Sequence, residues 1–388
     1  MSEEILGKVR ELLPALRDRA AEAEELRKVP PESVKALQET GFFRMLQPVR
    51  YGGFETHPLA FYEAVRLIAS ACGSTGWVAS VLGVHPWHVG LFDVKAQDEV
   101  FGEDQDTRIS SSYAPVGRAT PVEGGFRFSG KWSFSSGCDH ATWVLLGGLV
   151  MNDEGKPVDF RTFLLPIADY TINDVWDTVG LRGTGSNDIV VEDVFVPEHR
   201  TLSMLHTARC ICPGQDVNPG PLFRMPYGSI HPFAITAPMI GMAYGAYDVH
   251  VGATRERVRA AYMGEKSVED PFAQVRIATA SNDIDTAWWQ LEKNINDEWE
   301  HAVAGTKIPL ELRLRARRDQ VLGSARAISA IDRLFESAGG KAINAGGPLP
   351  RFWRDAHGAR VHAANDPERV LVLYGKGELG IQVRDGLF

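Results

Sequence analysis

Residues 126–148 read FRFSGKWSFSSGCDHATWVLLGG, and this stretch decides the fold class. Phe126 and Phe128 alternate with polar neighbours, Gly130 interrupts the run, and Trp132 and Phe134 restore the alternation. That period of two is the signature of a strand, and the apolar run 143–146 predicts a second one. Between them Ser135-Ser136-Gly137-Cys138-Asp139-His140 forms a small-residue, hydroxyl-rich turn. An aromatic wall beside hydroxyl and amide groups is the surface a planar heteroaromatic cofactor requires. A plain β-hairpin with a Ser-rich turn carries the same local pattern, so the stretch leaves both readings open.

Outward from it, residues 108 to about 195 keep the grammar of strands. Ile109-Ser110-Ser111-Ser112-Tyr113 leads in, Gly124-Gly125 turns a hairpin, and 160–166, 170–176 and 188–196 read as further strands. Gly180-Leu181-Arg182-Gly183-Thr184-Gly185-Ser186 has the glycine order of a dinucleotide loop, but no βαβ unit follows it, so that reading fails its structural context.

Helical periodicity fills both flanks. Ile5, Val9, Leu12, Leu13 and Leu16 share one face, Pro30-Pro31-Glu32-Ser33 starts a helix, and another runs from about 58 to 71. Gly73-Ser74-Thr75-Gly76-Trp77 opens a further helix carrying His85, Trp87 and His88. After residue 220 long helices are expected at 230–263, 271–304, 309–338 and 350–364. The first holds Gly241, Ala243, Gly245 and Ala246, which permit close packing; the third carries Arg313, Arg315, Arg317 and Arg318, read as a solvated or subunit-paired face. The expected domains are 1–107 (helical), 108–222 (β) and 223–388 (helical bundle).

The 388 residues carry a net charge of -9 without a basic block, which argues against a nucleic-acid surface. No apolar run is long enough for a membrane span, and the acidic start argues against a signal peptide. Cys72, Cys138, Cys210 and Cys212 have no metal-site spacing, so no metal and reduced thiols in a cytoplasm are expected.

This order of segments, with the 132–137 strand and turn, the 180–186 loop before Val191-Glu192-Asp193-Val194-Phe195-Val196-Pro197, and Arg354-Asp355-Ala356, resembles the acyl-CoA dehydrogenase fold. The resemblance implies an α+β protein: an N-terminal helical domain, a central β-barrel and a C-terminal four-helix bundle. Yet the position of the dehydrogenases' proton-abstracting glutamate falls at Ala363, and alanine is no base. Their Thr-Glu-Pro segment is also replaced, by Ser110-Ser111-Ser112-Tyr113-Ala114-Pro115.

The chain therefore resembles the flavin-dependent monooxygenases of this fold, the oxygenase halves of two-component systems. Cys72-Gly73-Ser74-Thr75-Gly76-Trp77, the 110–115 and 135–140 segments, Arg351-Phe352-Trp353-Arg354-Asp355-Ala356-His357 and residues 361–369 (VHAANDPER) are similar to the branch acting on secosteroid phenols in bacterial steroid degradation. Departures sit at the N-terminus, in 204–218 and in the last ten residues; the second could line a substrate mouth. Relatives acting on hydroxyphenylacetate, indole or polyketide phenols, and a catalytically silent flavin- or acyl-CoA-binding protein, are the competing readings.

The resemblance implies reduced flavin (FMNH2 or FADH2) and O2, an NAD(P)H-dependent flavin reductase as partner, a phenolic substrate and a homotetramer. It implies flavin contacts at Trp77, Ser111, Ser112, Tyr113, Phe134, Ser135, Ser136, His362 and Ala363. Arg257 is expected on a phosphate at a subunit interface, and Gly340 and Lys341 on a neighbouring subunit's cofactor. A free phenol titrates near ~10 and a histidine near ~6.5, so an imidazole beside the hydroxyl can assist its deprotonation. His362 is the first candidate for that work, His85 the second and His357 the third, with Ser136 as a further catalytic group.

Overall fold

The computed structural model describes residues 1–259 and 264–383. Six helices come first: α1 (Ser2–Asp18), α2 (Ala20–Leu26), α3 (Pro31–Glu39), α4 (Pro58–Ala71), α5 (Gly73–Val89) and α6 (Val94–Phe101). The central strands are β1 (Ile109–Val122), β2 (Gly125–Ser135), β3 (Trp143–Met151), β4 (Pro157–Pro166), β5 (Thr171–Asn173), β6 (Asn187–Pro197) and β7 (Thr201–Ser203). After the short α7 (Met204–Arg209) come α8 (Tyr227–Glu256), α9 (Pro271–Ala304), α10 (Leu310–Ala338), α11 (Pro348–Arg360) and α12 (Pro367–Glu378).

The seven strands form one sheet in the order β5-β6-β2-β1-β3-β4-β7. The expected central β-barrel is thereby corrected to an open sheet. A barrel needs a ladder between its first and last strands, and β5 and β7 pair only with β6 and β4. The edges are too short to do more. After Asn173 the chain leaves the ladder, because the Val175 and Trp176 amides both donate to Asn187 Oδ1. Strand alternation then splits the side chains between two cores. Phe128, Trp132, Val144, Leu146, Phe163 and Leu165 fill the sheet's own core, while Leu145 and Leu164 point the other way into the helical core.

That helical core runs from Ile5 to Ala359, so the first and last helices share it. Helix α8 threads its middle. A Cβ on Gly241 would lie 2.4 Å from the Arg66 carbonyl oxygen, and one on Gly245 would lie 2.5 Å from that of Ser70, so both glycines let α8 close onto α4. The small-residue face is therefore spent inside the chain. Pro238 lacks the N–H that would bond the Ala234 carbonyl, and the Ser80 hydroxyl takes that carbonyl at 2.5 Å, locking α5 against α8. The α10 arginines are also used internally: Arg315 pairs with Asp297 at 2.5 Å, Arg318 with Asp319 at 2.7 Å, and Arg317 is buried.

Candidate active site

Helix α5 is apolar all round and buried along its whole length, which fixes three polar side chains deep in the molecule: Trp77, His85 and His88. His85 Nδ1 lies 2.5 Å from the Ile109 carbonyl at the start of β1. A carbonyl only accepts, so Nδ1 carries the proton and Nε2 keeps its lone pair. That Nε2 is buried with no hydrogen-bond partner. His88 Nδ1 meets the Tyr113 hydroxyl at 2.8 Å, and its Nε2 is also buried and unpartnered. From α8, Tyr227 and His231 stack at 5.1 Å and 7°, and Tyr113 meets the His231 ring edge-on at 5.0 Å and 89°.

Burial sets the charge state of this cage. It pushes His85 down to about 4 and His88 to about 3, the second aided by repulsion from His85. His231 falls well below the usual range for the same reason, and Tyr113 and Tyr227 rise well above theirs. All five groups are neutral at pH 7. Two orphaned imidazole nitrogens in a buried aromatic surround are a costly arrangement for folding alone, since each unmade buried bond costs about 1–3 kcal/mol. Such a site suits a ligand with a hydroxyl on an aromatic ring.

Beside the cage, the turn after β2 carries a directed chain of hydroxyls. Thr184 Oγ1 donates to the Leu181 carbonyl at 2.9 Å, so it accepts from Ser186 Oγ at 2.7 Å. Ser186 in turn accepts from Ser136 Oγ at 2.7 Å, and Ser136 accepts from Trp77 Nε1 at 3.1 Å. The glycine-rich 180–186 loop is thus a scaffold. It binds β2 through the Gly137 amide on the Thr184 carbonyl, α5 through Ser74, and α11 through the Leu181 amide on Asp355 Oδ1 at 2.6 Å. At the rim, Phe134 is 70% exposed and has φ +68, a left-handed conformation that a bulky residue rarely adopts. Its ring stands edge-on to Trp176 at 6.1 Å. The Ser135 hydroxyl behind it is buried and unpartnered.

His362 approaches from the other side, on the turn after α11. Asn365 anchors that turn by bonding Gln320, Ser324 and the Ala359 carbonyl. His362 meets Trp77 edge-on at 5.7 Å, and its Nδ1 accepts the Ala364 amide at 3.1 Å. The neutral ring therefore carries its proton on Nε2. Close packing, then the Arg317 charge, pushes its pKa down to about 4.

Of the residues expected here, Trp77, His85, Tyr113, Phe134, Ser135, Ser136 and His362 gather in this region. Ser111 shares a strand face with Tyr113. Ser112 points the opposite way and donates to the Ser133 carbonyl at 2.8 Å. Ala363 is exposed beside His362. Arg257 and Gly340 lie elsewhere: Arg257 donates to the Ser337 carbonyl at 3.0 Å, at the junction of α8 and α10. The Lys341 side chain lies outside the described residues. His357 is tied to the Trp353 carbonyl at 2.9 Å and to Asp332 at 3.3 Å, away from the cage. Sequence reasoning missed His231, Tyr227, Thr184 and Ser186 and did not select His88. His231, a lone imidazole in the apolar 230–246 run, was the one visible signal.

Among the described residues no helix is long and apolar enough to cross a membrane, and no group of His, Cys, Asp or Glu could hold a metal. The acyl-CoA dehydrogenase N-terminal domain model matches residues 2–92 and the C-terminal domain model residues 233–367. The chain is 60% identical over 374 residues to a flavin-dependent monooxygenase, oxygenase subunit HsaA, of Rhodococcus jostii (strain RHA1), covering 96% of this chain and 98% of that one. The same subunit of Mycobacterium tuberculosis (strain ATCC 25618 / H37Rv) is 54% identical over 384 residues, covering 99% and 97%. A crystal structure of 3-HSA hydroxylase from Rhodococcus sp. RHA1 superposes with a TM-score of 0.96 at 58% identity, covering 99% of each chain. With these relatives, its buried histidine and tyrosine cage and its open sheet between helical segments, the chain belongs to the oxygenase subunits of flavin-dependent monooxygenases, enzymes of the acyl-CoA dehydrogenase fold that use reduced flavin and O2.

Proposed function

We propose that this chain is the oxygenase component of a two-component system that hydroxylates a secosteroid phenol to a catechol in bacterial steroid degradation. An NAD(P)H-dependent flavin reductase would supply the reduced flavin, as the designation "oxygenase subunit" of its relatives suggests. The observation that carries the reading is the buried, unpartnered Nε2 of His85, a fixed acceptor inside an aromatic cage. We infer a cytoplasmic location, a reading that its free thiols and the need for NAD(P)H support. The domains we propose are 1–107, 108–222 and 223–388.

The residues fit a flat, hydrogen-bonding ring. Phe134 offers exposed aromatic surface, Ser135 an unused buried hydroxyl, and Trp77 and Ser136 the start of the hydroxyl chain. When bound there, reduced flavin supplies the electrons and, with O2, an electrophilic oxygen. The protein's own part is the phenol. His85 Nε2 accepts the substrate hydroxyl's hydrogen bond. A phenol near ~10 and an imidazole at about 4 differ by an amount worth roughly 8 kcal/mol, so the resting pair stays neutral. As oxygen attacks the ring, the ring becomes electron-poor and its hydroxyl far more acidic, and His85 then takes the proton. His362, with Nδ1 engaged, presents an Nε2–H donor on the Trp77 side and holds an acceptor. The Tyr113, Tyr227 and His231 rings exclude water from the exchange.

The assembly we propose is a homotetramer. Arg257 sits roughly 40 Å along α8 from His231 at about 1.5 Å per residue, far beyond the ring-to-phosphate reach of one flavin. Arg257 and Gly340 therefore serve a neighbouring subunit's cofactor. The exposed Phe272, Val275 and Trp289 on α9 offer apolar surface for that contact. The deciding experiment is turnover of a secosteroid phenol against a panel of small phenols, with reductase and NADH supplied. The reading expects the secosteroid to lead in kcat/KM; a small phenol leading instead sinks the substrate assignment.

A further inference from the structure

Behind α7, at the C-terminal end of α9, lies a pocket of about 290 Å³ outside the site described above. Its lining includes Arg209, Arg224, Lys307 and Arg313, and no aspartate or glutamate. None of the four cations has a carboxylate within ion-pair distance among the described residues, the buried Glu298 acting on Arg313 only from further off, although the chain as a whole carries a net charge of -9. Two of them are aimed by helix ends. Arg224 donates to the Ala302 carbonyl at 3.0 Å and Arg313 to the Ala208 carbonyl at 3.0 Å, which leaves each guanidinium with donors to spare. Arg313 Nε is buried with no partner. Gln215 also lines the pocket, and its amide oxygen is taken by the Cys212 amide at 2.7 Å.

Four cations around one pocket with no carboxylate in its lining repel one another, and desolvation holds the Arg313 guanidinium below its ordinary pKa even with the buried Glu298 carboxyl nearby. An anion relieves both costs, and planar guanidinium donors match the oxygens of a phosphoryl group. We propose that this pocket binds a phosphoryl dianion, either inorganic phosphate or the phosphate of a monoester. The pocket is larger than a bare ion and has room for an attached group.

Calorimetric titration of the whole protein with inorganic phosphate, with AMP and with adenosine, at fixed ionic strength in chloride, tests this. Saturable binding of phosphate or AMP is expected, and none of adenosine. AMP binding more tightly than phosphate identifies the monoester as the source; equal affinity identifies the free ion. The double variant Arg209→Gln/Lys307→Gln alters two exposed side chains and should weaken binding about tenfold or more, whereas Arg257→Gln, at the proposed flavin-phosphate position, should leave it unchanged. Arg313→Gln, checked for folding by its melting curve, should weaken it likewise. Absence of saturable phosphate or AMP binding overturns the proposal. So does binding that survives Arg209→Gln/Lys307→Gln or disappears with Arg257→Gln, which would return the anion to the flavin site.

Discussion

His85 donates its Nδ1 proton to the carbonyl of Ile109 across 2.5 Å, and this bond leaves the Nε2 lone pair facing the buried cage. His362 has the opposite polarity, because its Nδ1 accepts the Ala364 amide. The two imidazoles are therefore not interchangeable. Their backbone partners leave a lone pair on His85 Nε2 and an N–H on His362 Nε2.

Substitution should expose that division. His85→Asn is expected to lower coupled hydroxylation by about 10²–10⁴, the usual worth of general acid–base help, with the oxygen consumed appearing as hydrogen peroxide. His362→Asn keeps an N–H donor and should lose about tenfold or less. Product and peroxide assays on both variants decide it. If His85→Asn keeps more than half the coupled turnover while His362→Asn loses it, the roles are reversed.

The pH dependence follows from the depressed pKa of His85. Burial keeps it neutral down to about 4, so kcat/KM should change little between pH 7 and pH 5. An unshifted histidine near ~6.5 would be ~97% protonated at pH 5 and would cost about 30-fold. A rate profile with its acid limb near 6.5 contradicts the assignment.

The hydroxyl chain makes a separate prediction. Thr184→Val removes the group that orients Ser186 and, through it, Ser136. Reduced-flavin affinity should fall several-fold in anaerobic titration while the KM for the phenol stays put, at a stability cost of about 1 kcal/mol. Unchanged flavin affinity would remove Ser136 from the cofactor site.

Glu298 on α9 is fully buried. Its Oε1 accepts from Ser229 at 2.9 Å, its Oε2 has no partner, and burial raises its pKa to about 7. A carboxyl raised in the folded state binds more protons there than when unfolded. Its stabilising contribution is therefore complete below ~4.5 and is lost as pH climbs through about 7. Glu298→Gln should be more stable than the parent at pH 8, by up to ~3 kcal/mol, and should lose that advantage at pH 5. Asp355, also raised to about 7, adds a slope of the same sign, and the buried histidines oppose both below ~6.5, so the variant-minus-parent difference in thermal melts is the readout.

Much of this protein was legible as a string. Periodicity placed α4, α9 and α10 nearly to the residue, and the start of α5, because each buries a face or a whole surface and opens at a proline or glycine. Helix α12 was overlooked although Asp366-Pro367 carries its start: the Asp366 carboxylate caps the Glu368 and Arg369 amides. The 180–186 loop runs into β6 with no βαβ unit, as read from the string, but its use as a clamp onto α5 and α11 needs partners more than 100 positions away.

The sequence by itself determined the family, the order of helical and β segments and the set of hydroxyls and imidazoles available, since composition, periodicity and motif are local. Only the tertiary structure decided that the sheet stays open, because edge pairing depends on where β5 and β7 end in space. It alone brought His231 and Tyr227 to His85 and His88. It also fixed the tautomers, because which ring nitrogen keeps a lone pair is set by the backbone group opposite: the Ile109 carbonyl for His85, the Ala364 amide for His362.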